Sequence, residues 1–203
     1  MSRKFNPSNF MHYNIKQLYT PALEIHELNE RALIIDTETI GTGPTIEIIE
    51  IAMADETGRI IYESLVQPVF NALPPLSKHQ RFDRATLSSA PYWTDIWPDI
   101  ANHIEGKLLV AYNAAFDRRA LAATRFRYQH ESPERGWRCA MQLVKKVIGT
   151  KKSLTLEQAC ACYGLPGGNH RAARDVLATC DLLKMLASGV AASAHPRRDS
   201  KAS

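Results

Sequence analysis

Apolar positions along the chain change period near its middle. Ala32-Leu33-Ile34-Ile35 is a short run rich in β-branched residues and predicts a buried strand. Residues 46–54 predict a second strand and 60–66 a third. Gly41-Thr42-Gly43-Pro44 marks a turn before the second strand, and Asp55-Glu56-Thr57-Gly58 a hairpin turn before the third, so the three read as an antiparallel meander. The period then lengthens. Trp93, Ile96, Trp97, Ile100 and Ile104 recur at helical spacing, and Gly106 ends that helix. Pro98 requires the helix to start near Thr94, where the first turn can spare its N–H groups. Trp93 and Trp97 are read as core packing. Residues 107–112 predict a strand, 114–127 a helix, 137–140 a short strand, and 143–148 and 154–163 helices. Beyond the break at Gly164, Pro166, Gly167 and Gly168, the last helix carries Ala172, Ala173, Val176, Cys180, Leu183 and Ala187 along one face. The order predicts an α/β fold, with a mixed central sheet (antiparallel meander plus parallel strands) flanked by helices.

The two ends lack this patterning. Residues 1–30 read as an N-terminal arm with a weak helical signal at 14–19, and 191–203 as a disordered basic tail, leaving 31–190 as the folded domain. With 203 residues, 45% of them apolar, the chain suits one domain with tails. No apolar run approaches the roughly 18–20 residues that span a bilayer, so no membrane partner is expected. The polar first ten residues are no secretory signal, and four cysteines are too few for a disulfide scaffold; a cytoplasmic location is the expectation.

Charge sharpens the picture. Residues 118–152 hold ten basic side chains and two acids, a net +8 in a chain whose total is +4, so the remainder is −4. Such asymmetry fits either a polyanionic partner or a solvated basic face.

Candidate chemistry lies at four places. Asp36 and Glu38 follow the first apolar run two residues apart, so on an extended backbone both carboxylates point the same way, about 7 Å apart. Crowded acids at the end of a buried strand call for a cation between them, and oxygen ligands suit a divalent metal. Taken alone, the pair also reads as solvated acids beyond a strand that stops at Ile35. Asp117 sits in the first turn of a helix, where the macrodipole favours an acid in any case. His170 and Asp175 are five residues apart, about 140° around an ideal helix, so His170 must lie on the loop or cap if Asp175 faces inward. Gly41-Thr42-Gly43 lacks the third glycine of a dinucleotide fingerprint, and Gly149-Thr150-Lys151-Lys152 is not a P-loop. Cys160 and Cys162 have no second pair at zinc spacing and read as core or surface thiols.

Together the four places form Asp-x-Glu, a distant Asp, then His-x-x-x-x-Asp. This pattern resembles the DEDDh branch of the DnaQ-like 3′–5′ exonucleases, on a ribonuclease H-like fold, over about residues 31–188. Ile35-Asp36-Thr37-Glu38-Thr39, Asn113-Ala114-Ala115-Phe116-Asp117 and His170 through Asp175 look like the three family motifs. Phe116-Asp117-Arg118-Arg119 and Trp137-x-Cys139-x-Met141 are similar to the bacterial exodeoxyribonuclease X group. Tyr112 departs from the histidine many relatives place before the asparagine, and the tract His79-Gln80-Arg81-Phe82-Asp83 departs from their usual loop.

The resemblance implies hydrolysis of phosphodiesters from single-stranded 3′ ends, DNA ahead of RNA, releasing nucleoside 5′-monophosphates in repair or end processing. It implies two divalent ions, Mg²⁺ or Mn²⁺, held by Asp36, Glu38, Asp117 and Asp175, with His170 as general base. An unperturbed imidazole titrates near pH 6.5, which suits that role. It further implies that Thr37 and Thr39 position the terminal nucleotide and that Asn113 and Phe116 contact it. An exoribonuclease and a catalytically idle nucleic-acid-binding subunit are the competing expectations.

Overall fold

The structure, a computed structural model, describes residues 32–69 and 84–189. The expected arm, the helix at 14–19, the tract from His79 to Asp83 and the tail lie outside the described residues. β1 (Ala32–Ile40), β2 (Glu47–Ala54) and β3 (Ile60–Leu65) form the antiparallel meander. β4 (Leu108–Ala111) and β5 (Gly136–Cys139) add in parallel on the other side of β1, giving the order β3-β2-β1-β4-β5. The helices are α1 (Arg84–Ser88), α2 (Trp93–Ile104), α3 (Ala114–Tyr128), α4 (Ala140–Ile148), α5 (Leu156–Ala161) and α6 (Ala172–Ala187). None of them is long and apolar enough to cross a membrane.

Alternation along β1 divides the core in two. Ala32 and Ile34 join a cluster with Val176, Cys180 and Leu183 of α6, while Leu33 and Ile35 join one with Ile100 of α2 and Leu121 of α3. Helices therefore cover both faces, and every residue of β2 is buried. Each fully buried large aliphatic side chain contributes about 1.5–3 kcal/mol, which makes β1 and β2 a stiff platform. Trp93 is 1% exposed and Trp97 packs against the same cluster, with ring centroids 5.6 Å apart, so both serve the core as read from the sequence.

Three elements differ from the sequence expectation. β1 does not stop at Ile35 but stays paired with β2 to Ile40, so Asp36 and Glu38 lie within the ladder, opposite Ala52 and Glu50. Thr37 and Thr39 favour that extended backbone. The helix carrying Pro98 starts at Trp93, which puts the proline in its second turn. The missing N–H deprives the Thr94 carbonyl of its helical partner, and both residues are exposed, so water can take its place. The helix predicted over 154–163 is α5 alone. Thr155 stops it from starting earlier: its hydroxyl accepts from Gln158 N–H at 3.2 Å, and its N–H donates to Gln158 Oε1 at 3.0 Å.

Candidate active site

Asp36 and Glu38 share the face of β1 that Ile34 turns toward α6. Asp175 stands in the first turn of α6 and is buried. His170 lies two residues ahead of the helix in the left-handed region, at φ 59°, and is exposed. This break in the helical path lets the two residues converge in spite of their five-residue spacing. Ligand atoms of Glu38, His170 and Asp175 all lie within 4.8 Å of one another.

The loop before them is shaped around Asp175. Asn169 N–H donates to Asp175 Oδ1 at 2.8 Å. A Cβ on Gly168 would sit 2.1 Å from that same oxygen, so any larger residue there would push the Asp175 carboxylate out of place.

Asp117 arrives from the other layer. Val110 of β4 pairs with Ile34 of β1, so the end of β4 and the start of α3 lie level with Asp36. Asp117 is 3% exposed, and its Oδ1 accepts from both Thr37 N–H (3.0 Å) and Thr37 Oγ1 (2.8 Å). The Thr37 side chain points to the α3 face, and both its donors hold Asp117. Thr39 is half-buried beside a register shift in the β1–β2 ladder, Asn113 is exposed at the N-cap of α3, and Phe116 packs partly on the α2–α3 cluster. Tyr112 is likewise structural, its hydroxyl donating to the carbonyls of Leu154 (3.0 Å) and Thr155 (3.1 Å).

The acids crowd one another. Burial first, then the charges of Asp117, Asp175, Glu38 and Glu50, push Asp36 well above the usual carboxylate range. Glu38 is pushed up to about 7 by burial, then by Asp175, Glu50 and Asp117, against the pull of Arg171. Burial raises Asp117 to about 6 in spite of the hydrogen bonds from Thr37. Asp175 is raised by burial against the Asn169 hydrogen bond and the charge of His170. Four carboxylates that resist ionisation together offer hard oxygen ligands, and this donor set fits Mg²⁺ or Mn²⁺.

Two residues of the site escaped the sequence reading. Glu50 of β2 is fully buried; its Oε1 accepts from Arg171 Nε at 2.9 Å and its Oε2 from Ala172 N–H at 2.9 Å. Arg171 Nη2 lies 2.9 Å from the same Oε1. A lone acid inside the apolar run Ile48-Ile49-Glu50-Ile51 was the available signal.

Known proteins bear on this geometry. A family model described as an exonuclease, of the RNase T type, matches residues 33–183. The chain belongs to that family of DnaQ-like 3′–5′ exonucleases. It is 31% identical over 180 residues to an uncharacterized exonuclease, CP81, of Escherichia phage 186, covering 81% of this chain and 92% of the phage protein. It is 29% identical to the 3′-5′ exonuclease DinG of Staphylococcus saprophyticus, covering 74% of this chain but 17% of that much longer protein. Among solved structures, a 3′-exonuclease bound in recognition of a histone mRNA stem-loop aligns with TM-score 0.66 at 15% identity, over 79% of this chain and 83% of its own. That likeness shows the ribonuclease H-like fold.

Proposed function

We propose that this exonuclease removes nucleotides one at a time from single-stranded DNA 3′ ends, as nucleoside 5′-monophosphates, in repair or end processing in the cytoplasm. The observation that carries the reading is the convergence of Asp36 and Glu38 from β1, Asp117 from α3 and Asp175 from α6, each with its pKa raised. These four would hold two divalent ions, Mg²⁺ or Mn²⁺. When bound, such ions supply positive charge for the scissile phosphate and the leaving 3′ oxygen.

The chain's own residues do the rest. His170, exposed beside Glu38 and Asp175, accepts the proton of the attacking water at an imidazole nitrogen. Thr37 holds Asp117 in a single orientation. Thr39, Asn113 and Phe116 contact the terminal nucleotide. Arg118 and Arg119, exposed just after Asp117, meet its phosphates. The likeness of Phe116-Asp117-Arg118-Arg119 and Trp137-x-Cys139-x-Met141 to exodeoxyribonuclease X supports DNA over RNA.

The test is a gel assay with 5′-labelled and 3′-labelled single strands of DNA and RNA, in Mg²⁺ and in EDTA. The 5′-labelled DNA should shorten in a ladder from its 3′ end, the 3′ label should leave at once as mononucleotide, and EDTA should stop both. An RNA ladder at equal or greater rate would move the substrate to RNA. No release from either polymer with Mg²⁺ or Mn²⁺ would overturn the reading.

A further inference from the structure

We propose that Glu50 is a positioning residue of this site: from inside the sheet it fixes the segment from Gly168 to Asp175 through Arg171 and the Ala172 N–H. The inference rests on the exonuclease reading above. Glu50 is fully buried and lies opposite Glu38 in the β1–β2 ladder, beside the register shift that follows Glu38. Three donors converge on its two oxygens: Arg171 Nε and Nη2 on Oε1, and Ala172 N–H on Oε2, all at 2.9 Å. Ala172 is the first residue of α6, and Arg171, its N-cap, makes no side-chain cap of its own. Glu50 thus supplies from β2 the capping oxygen that the helix lacks locally.

What this anchor holds is the chemistry. His170 precedes Arg171, and Asp175 follows it by four residues. His170 sits at φ 59°, a conformation that a residue with a side chain keeps only when its surroundings impose it. On the far side the loop is held by Asn169 N–H on Asp175 and by the close fit of Gly168. Toward the sheet, the Arg171 guanidinium and the Ala172 N–H bind Glu50. Because β2 is buried along its length, the anchor is rigid, and it ties the positions of His170 and Asp175 to that of Glu38.

A carboxylate is needed there. Gln at 50 offers one acceptor oxygen, and its amide nitrogen would face either the guanidinium or the Ala172 N–H, donor against donor. The experiment compares wild type, Glu50→Gln, Arg171→Ala and the double variant on a 5′-labelled single-stranded DNA. Hydrogen exchange of the Asn169 and Ala172 amides is followed alongside. Glu50→Gln should lower kcat about 10–100-fold, the usual cost of losing a partner behind a metal ligand. KM should change little, because Glu50 is not placed against the substrate. Arg171→Ala should cost less, and the double variant should be no worse than Glu50→Gln, since both act through one anchor. Asn169 N–H, which does not touch Glu50, should lose protection in Glu50→Gln while amides of β4 and α3 keep theirs. That loss is the readout a general destabilisation would not give.

Unchanged kcat and unchanged Asn169 protection in Glu50→Gln would overturn the inference. So would a fall in activity matched by the fall in folded fraction, with protection lost throughout the sheet. The wild type separates the two claims. If wild type releases no nucleotide, the exonuclease reading fails, and the exchange data still decide whether Glu50 fixes the segment.

Discussion

Glu134 and Glu38 are both carboxylates drawn into the fold, and the protein treats them in opposite ways. Glu134 Oε2 accepts from Arg125 Nη1 at 2.5 Å and its Oε1 from Trp137 Nε1 at 3.1 Å, with the Arg125 and Glu134 side chains 7% and 6% exposed. Burial pushes Glu134 up, but the bonds from Arg125, its own backbone and Trp137 outweigh it and hold the carboxyl below its usual value. Glu38 goes the other way, to about 7, because its burial is compounded by neighbours that are chiefly acids. The contrast extends outward: Glu47 pairs with Arg127 at 3.8 Å and Glu50 with Arg171 at 2.9 Å. Cations for the site acids are close at hand in sequence, since Arg118 and Arg119 directly follow Asp117, yet both are exposed and Arg119 lies over the Phe116 ring. Structural acids are matched within the chain. Site acids are left to a cation from outside, which is what a metal centre requires.

The sharpest way to break this comparison is to remove a site acid. Asp36→Asn should lower kcat/KM by about 10³-fold or more, since several kcal/mol of transition-state stabilisation passes through metal charge. In EDTA the same variant should melt above wild type, because it relieves repulsion with Asp117, Asp175 and Glu38. Retention of more than about a tenth of the activity would sink the metal assignment. His170→Ala comes next, with kcat lower by roughly 10²–10⁴-fold. The closeness of His170 to Glu38 and Asp175 makes calorimetry with Mn²⁺ the deciding measurement. Binding should survive in a general-base role, and its loss would make His170 a ligand.

The paired acids should behave in reverse. Glu134→Ala leaves Arg125 buried and unmatched, at a cost of about 3–5 kcal/mol, or roughly 10–15 °C in Tm for a domain of this size. The kcat of the folded fraction at low temperature should stay at the wild-type value, and a large fall would place Glu134 in the site.

The site acids also set a pH dependence. Each has a folded-state pKa above its ordinary value, so the folded chain holds protons that the unfolded chain has released. Without metal, that stabilisation is complete below about 4 and is lost as pH rises through about 6 for Asp117 and about 7 for Glu38. Melting in EDTA should therefore fall between pH 5 and pH 8. Mn²⁺ at about 100 times its Kd should restore about 2.7 kcal/mol at pH 8. A flat EDTA profile would mean that the acids are solvated and not crowded.

Much of this is legible in the amino-acid sequence. Apolar runs mark β1, β2 and β4 because burial on both faces calls for them, and the motif acids stand out against them. What escaped reading depends on partners distant in the chain. Thr37 lies inside a family motif, but its use depends on Asp117, 80 residues away. Glu50 finds Arg171 across 121 residues. No local period encodes such pairs. Within the +8 stretch, Arg125 is buried against Glu134, and Arg127 is half-buried with bonds to the carbonyls of Pro44 and Ile46.

Lys151 and Lys152 are the place to test the remaining basic charge. Both are exposed in the loop between α4 and α5. The C-terminal end of this loop is tied down: the Tyr112 hydroxyl holds the Leu154 and Thr155 carbonyls, and a Cβ on Gly167 would lie 3.1 Å from Glu157 Cα in α5. If both lysines meet phosphates, changing them to Glu should flatten the slope of log K against log salt by about 1.4, at about 0.7 per phosphate on a single strand. Affinity should fall alike for every sequence, since phosphate contacts carry no base information. The saturated rate should not change, because neither lysine lies among the carboxylates. A change of about 0.7 would mean that one of the two reaches the strand. An unchanged slope with a lower saturated rate would reverse the division drawn here, placing these cations in the chemistry of the unmatched acids and not in the path of the strand.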